Sequence, residues 1–158
     1  MPPKVKIGMQ FDRTSPAVLA WAKQHAADLV TDISETTRER IRDEVVGAFA
    51  EGVSPRDLAD AIDGIVNDVD RAELIANTES MLAANRGQEM AWGQAIDNGL
   101  LDDAVKKEWI ATGDKDVCDD CDELDGVTVA LDEDFPNDGG EGPPLHPRCR
   151  CTTGIVNG

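Results

Sequence analysis

The residues best suited to chemistry lie close together near the end of the sequence: Cys118-x-x-Cys121, then 24 intervening residues, then His146-x-x-Cys149-x-Cys151. A C-x-x-C turn brings two thiolates to one ion while nearby backbone amides hydrogen-bond to the sulfurs, and an H-x-x-C knuckle completes a tetrahedron. The spacing selects Cys118, Cys121, His146 and Cys149 as metal ligands, with Cys151 as the alternative fourth ligand. In an extended strand Cys149 and Cys151 would point to opposite faces, so one of the two is expected to reach the ion. Cys149 is preferred because H-x-x-C matches the knuckle spacing of C-x-x-C. Three thiolates and a neutral imidazole saturate zinc and leave no position for water or substrate, so the expected cofactor is one structural Zn2+.

Other chemistries fit these residues less well. No βαβ pattern precedes the C-x-x-C, which argues against a redox dithiol. MPPKVKIGMQ contains no apolar run of signal-peptide length, which argues against an exported disulfide framework. The H-x-E…P-C-x-x-C pattern of deaminases and the H-E-x-x-H of zincins are absent, as are G-x-x-x-x-G-K, G-x-G-x-x-G and any Ser-His-Asp grouping. No catalytic residue is selected. Aligning Gly126 with the glycine of an EF-hand loop puts Cys121 in the first ligand position, so Asp125-Gly126 reads instead as a tight turn. His25 is expected to be a partly buried packing residue beside Trp21 and Leu29. Arg71, Thr78 and Glu79 read as a solvated helix face with an ion pair. Arg148 and Arg150 would offset the negative charge of the metal site or of the acidic stretch.

These residues need elements to position them, and the patterning predicts a mainly α protein with a small C-terminal zinc-stapled β lobe, an α+β arrangement. Three Phe, three Trp and no Tyr leave a core of Ala, Val, Leu and Ile, which suits helices. Ser15-Pro16 starts a first helix whose apolar face, from Val18 through Leu29 and Val30, runs to about Ile33. Asp32 with Glu35 reads as a capping box for a second helix that stops at Gly52, and Ser54-Pro55 starts a third that ends near Asn67. A long fourth helix spans about 69–98, locally weakened by Gly87 and Gly93. Short strands are predicted at Val105–Thr112, Val127–Leu131 and Cys151–Val156. The expected organisation is a flexible arm over 1–14, a helical domain over 15–99 and a small β lobe over 100–158. About 58 residues around such a sheet bury too little apolar area to be secure without a staple.

Charge narrows the partners. Thirty-two acidic residues against 15 basic ones give a net charge of -17, and residues 97–141 alone hold 16 acidic and 3 basic residues. Such a surface disfavours nucleic acid and anionic lipid. No apolar stretch is long enough to span a membrane. A soluble, cytoplasmic protein is expected.

Taken in order, these motifs resemble a family. RAELIANTESMLAANRG, KKEWIATGDKDVCDDCDELDG and PPLHPRCRCTT are similar to the C-terminal region of the phage Mu F-like minor head, or head morphogenesis, proteins of tailed bacteriophages and prophages. The shared order is R-x-x-x-I-A-x-T-E (Arg71, Ile75, Ala76, Thr78, Glu79), Trp109 and Asp114 leading into Cys118 and Cys121, then Asp125-Gly126, and Pro143, Pro144, His146, Pro147, Cys149 and Arg150. The upstream segment over residues 15–62 is also similar to the family's helical part, so the likeness runs over about 15–155. The family often has Arg where Asn77 stands, and its members vary at Cys151. The resemblance implies a non-enzymatic component of the virion or procapsid interior, present in the bacterial cytoplasm during assembly. It would contact portal or capsid proteins, possible oligomers included, and aid head assembly, DNA packaging or delivery. Many members are longer at either end. The alternatives are a zinc-dependent hydrolase or toxin fragment, using the loop between Leu131 and Leu145, and a zinc-stabilised protein-binding adaptor.

Overall fold

A computed structural model describes residues 15–113 and 115–158; the expected arm and Asp114 lie outside the described residues. Three of the first four helices begin where a serine hydroxyl can accept an orphan amide of the first turn. Ser15 caps α1 (Pro16–His25), Ser34 caps α2 (Glu35–Glu51) and Ser54 caps α3 (Pro55–Val66), with Pro16 and Pro55 in the first helical positions. Asp68 caps α4 (Val69–Asp97) by accepting from the Arg71 amide. Gly52 and Asn67 close α2 and α3 in the left-handed conformation, which glycine adopts without steric cost and asparagine tolerates.

Two boundaries differ from those read in the sequence. α1 stops at His25, because Ala27 turns left-handed (φ 67°) and the carbonyls of Ala26 and Ala27 are taken by Arg42 and Arg38 of α2. The apolar residues that seemed to extend the helix, Ala26, Ala27 and Val30, are buried in this turn instead. Asp32 also has positive φ (58°), and the second helix is capped by Ser34. A side chain two residues away can outcompete a nominal capping box when the chain between them must turn.

α4 runs unbroken for 29 residues through Gly87 and Gly93. Its first half packs with α1–α3 around Ile41, Val45, Phe49, Leu58, Ile62 and Ala76. The chain then forms a three-stranded antiparallel sheet of order β2-β1-β3, with β1 at Lys106–Ile110, β2 at Thr128–Ala130 and β3 at Thr152–Val156. The register pairs Lys107 with Val129 and Ile155. A second apolar cluster, made of Trp109, Leu124, Phe135 and three cysteines, lies against it. The fold is therefore α+β. Among the described residues no helix is long and apolar enough to cross a membrane.

A charged joint ties the second half of α4 to the sheet. Arg86 Nη2 donates to Gly142 O (3.1 Å), while its other nitrogens pair with Glu89 (3.3 Å) and Glu141 (3.3 Å). Lys107, 2% exposed, donates Nζ to Glu141 O (2.7 Å), lies 3.9 Å from Glu89 and sits over the Phe135 ring. Gly142 permits the approach, because a Cβ there would lie 2.9 Å from Glu89 Oε1. Asn85 and Gln88 add hydrogen bonds to the backbone carbonyls of Cys151 and Thr153.

Candidate metal centre

The C-x-x-C segment is a short helix, α5 (Asp119–Leu124), rather than a bare turn. Cys118 is its N-cap, and its sulfur accepts from the Cys121 amide at 3.4 Å. Helical spacing of three residues then puts both sulfurs on one side of the first turn. On the opposite segment, the Cys149 amide donates to His146 O (3.1 Å), closing the H-x-x-C turn, with Arg148 left-handed (φ 70°) inside it.

These two turns bring the five expected residues into one cluster. His146 Nε2 lies 3.1 Å from Cys118 Sγ and 3.6 Å from Cys121 Sγ, and Cys121 Sγ lies 3.8 Å from Cys149 Sγ. Cys118, Cys121 and His146 form one group with ligand atoms within 4.8 Å of one another, and Cys121, Cys149 and Cys151 form another. Cys121 belongs to both. The residues are thus arranged so that they could hold a metal ion.

Cys149 and Cys151 do not behave as alternating strand residues. Both precede β3, both are buried, and both sulfurs reach Cys121. The alternation argument required an extended strand, and the segment enters β3 only at Thr152.

Geometry and titration both fit a cation. All four cysteines are free, and the 3.8 Å between Cys121 and Cys149 is nearly twice a disulfide bond of about 2.0 Å. Two thiolates on one tetrahedral zinc, each at about 2.3 Å, would stand about 3.8 Å apart, and a thiolate and an imidazole about 3.6 Å apart. The Pro147 carbonyl can only accept, so His146 Nδ1–H donates to it (2.7 Å) and the Nε2 lone pair faces the sulfurs. The same carbonyl raises the His146 pKa, burial opposes it, and Cys118 adds to the rise. The Cys121 amide lowers the Cys118 thiol against burial, with His146 helping. Burial raises the Cys121 thiol, and the adjacent Cys118 and Cys149 thiols push it further. Burial and Cys149 likewise raise Cys151, with the Trp109 indole opposing them. Several thiolates crowded in one apolar site need a positive ion among them to ionise together.

Arg150 lies 4.0 Å from Asp116, in the direction of the acidic stretch, and Arg148 is exposed. His25 is outside the site and more exposed than expected, stacked on Trp21 with Asp28 at 3.3 Å. The expected solvated face on α4 is not found: Thr78 and Glu79 are 6% and 1% exposed, and Glu79 has no ion pair. The loop between Leu131 and Leu145, proposed above as a catalytic segment of the rival reading, carries Glu141 and Gly142 of the charged joint. Arg86, Glu89 and Lys107 escaped the sequence reading. A lysine inside a strand pattern and an Arg-x-x-Glu pair on a helix look solvent-facing until their partners are known.

Compared with known proteins, the chain matches the family described as Phage Mu protein F like protein over residues 39–154. The match takes in α2 to β3 and every candidate ligand. No curated protein and no solved structure matches.

Proposed function

The chain belongs to the phage Mu F-like family, and from that membership we propose that it is a head morphogenesis protein acting through protein contacts at the portal and capsid interior. One zinc ion, held by Cys118, Cys121, His146 and Cys149, would staple the sheet and α5 together, and Cys151 would pack behind it. The observation that carries the zinc reading is the orientation of His146. Its Nδ1–H is committed to the Pro147 carbonyl, leaving Nε2 toward two thiols, 3.1 Å from Cys118 and 3.6 Å from Cys121, the second being the separation a tetrahedral ion requires. An ion with four protein ligands has no open position, so the metal would be structural and would itself carry no catalysis. The acidic surface would meet basic faces of portal or coat proteins and keep the protein from adhering to packaged DNA.

Native mass spectrometry of protein purified without added metal tests the site. One zinc per chain is expected, lost in Cys149→Ser and retained in Cys151→Ser; the reverse pattern would move the fourth ligand to Cys151. Metal-free protein with paired oxidised cysteines would end the zinc reading. Co-purification with portal protein, and absence from heads assembled without it, tests the assembly role.

A further inference from the structure

A tetrahedral zinc leaves this cluster with one donor too many. Cys118, Cys121, His146, Cys149 and Cys151 all line one cavity of about 20 Å3, whereas zinc takes four ligands. A water molecule needs about 10–15 Å3 of cavity and a bare metal ion less, so the space does not restrict the occupant to a single ion. The five donors also divide in a particular way. They form two groups of three, Cys118-Cys121-His146 and Cys121-Cys149-Cys151, each with its ligand atoms within 4.8 Å of one another, and the groups share one sulfur, that of Cys121.

A tetrahedral ion on Cys118, Cys121, His146 and Cys149 takes three donors from one group and reaches into the other for the fourth. An ion within a single group needs no such reach. A triangle with edges up to 4.8 Å has its corners at most about 2.8 Å from a central point, and a small inward movement gives the bond of about 2.3 Å that a thiolate makes. Two triangles with a common thiolate corner are the arrangement of two three-coordinate ions bridged by sulfur. Such coordination by thiolate and imidazole suits Cu(I), a soft d10 cation that does not require a fourth ligand. Two Cu(I) ions carry the same two positive charges as one zinc, but set one beside every sulfur, Cys151 included; four thiols lose four protons and no electron moves. The surroundings favour the reduced ion. Cys121, Cys149 and Cys151 are buried with Trp109, Leu124 and Phe135, and an apolar, sulfur-rich wall disfavours Cu(II), which prefers square arrays of nitrogen and oxygen donors.

We propose, resting on the reading of this cluster as a metal centre, that it takes two Cu(I) ions, one on Cys118, Cys121 and His146 and the other on Cys121, Cys149 and Cys151, with the Cys121 thiolate bridging them. One zinc and two copper ions are then alternative occupants of the same five donors. Cys151, which a single zinc leaves as a buried thiol, is a ligand in the copper form.

The test is an anaerobic titration of the full chain, reduced and freed of metal, with Cu(I) supplied as its acetonitrile complex. Bound ions are counted by native mass spectrometry in the presence of bathocuproine disulfonate as a competing chelator, and zinc is titrated in parallel. Two copper ions per chain are expected to survive the competitor, falling to one in Cys151→Ser and to one in Cys118→Ser, while Cys151→Ser still holds one zinc. X-ray absorption at the copper edge should show three-coordinate, sulfur-rich copper with a second copper as near neighbour, as a thiolate bridge requires. Fewer than two copper ions, more than two, two retained in Cys151→Ser, or two without a copper neighbour would each overturn the assignment. Two copper ions in a chain that binds no zinc would end the zinc reading and uphold this one; one zinc with a single copper would do the reverse. The ion count and absorption spectrum of the unmodified chain decide the matter even where a variant folds poorly.

Discussion

Burial raises the Glu79 pKa from 4.5 to about 7, with Asp28 adding to the rise and the Ala27 amide and Arg42 opposing it. Between those values the folded protein holds a proton that the unfolded chain has released. The stability linked to Glu79 is therefore complete below about pH 4.5 and is lost as pH rises through 7, a total of about 3 kcal/mol. Glu79→Gln should accordingly exceed the unmodified protein in stability by about 3 kcal/mol at pH 8 and differ little at pH 5, read by urea unfolding at both. Equal stabilities at pH 8 would mean that the carboxylate has found a partner in solution. The residue was legible only as a type and a position: Glu79 sits in the R-x-x-x-I-A-x-T-E run, but nothing in its neighbours along the chain says that the turn after α1 folds over it.

At the scale of elements, α4 matters most, because its first half closes the helical core and its second half holds the sheet. Gly93 interrupts neither role. A Cβ there meets nothing within 4 Å, so Gly93→Ala should raise stability by about 0.5–1 kcal/mol through helix propensity alone, measurable as a higher urea midpoint. Gly142 is the opposite case. Its φ of 154° and the 2.9 Å that a Cβ would leave to Glu89 make Gly142→Ala destabilising by about 2 kcal/mol. Removing the guanidinium in Arg86→Ala would leave Glu89, whose pKa burial already raises, with only Lys107 nearby, at a cost on the order of 3 kcal/mol. Comparable losses for Arg86→Ala and an exposed control such as Arg56→Ala would show that the joint contributes nothing. Helix starts at Ser15 and Ser54 and stops at Gly52 and Asn67 follow from the sequence, since capping involves residues within three or four positions. The end of α1 does not, because arginines 11 and 16 residues away take its carbonyls.

For the molecule as a whole, the two apolar clusters differ in what sustains them. The helical one is built from aliphatic side chains of four helices, whereas half of the buried residues in the smaller one are cysteines. With zinc bound as proposed, stripping it with a chelator should speed amide exchange at Trp109 and Thr153, which lie in paired strands beside the cluster, while the protected amides of α2 and α3 change little. Uniform loss of protection would mean that the metal holds the entire chain together. The sequence by itself determined the caps at Ser15, Ser54, Gly52 and Asn67, the apolar stripes of α2 and α3, the three strands to within a few residues, and the five metal-ligating candidates with their spacing. These depend on contacts local in the chain or on a donor chemistry that few residue types supply. Only the tertiary structure decided that Cys149 and Cys151 both face Cys121, that Lys107 and Arg86 are interior ions, and that Glu79 is a buried acid. Each of those outcomes depends on groups dozens of residues apart, whose meeting is set by how helices and sheet pack and not by any pattern along the chain.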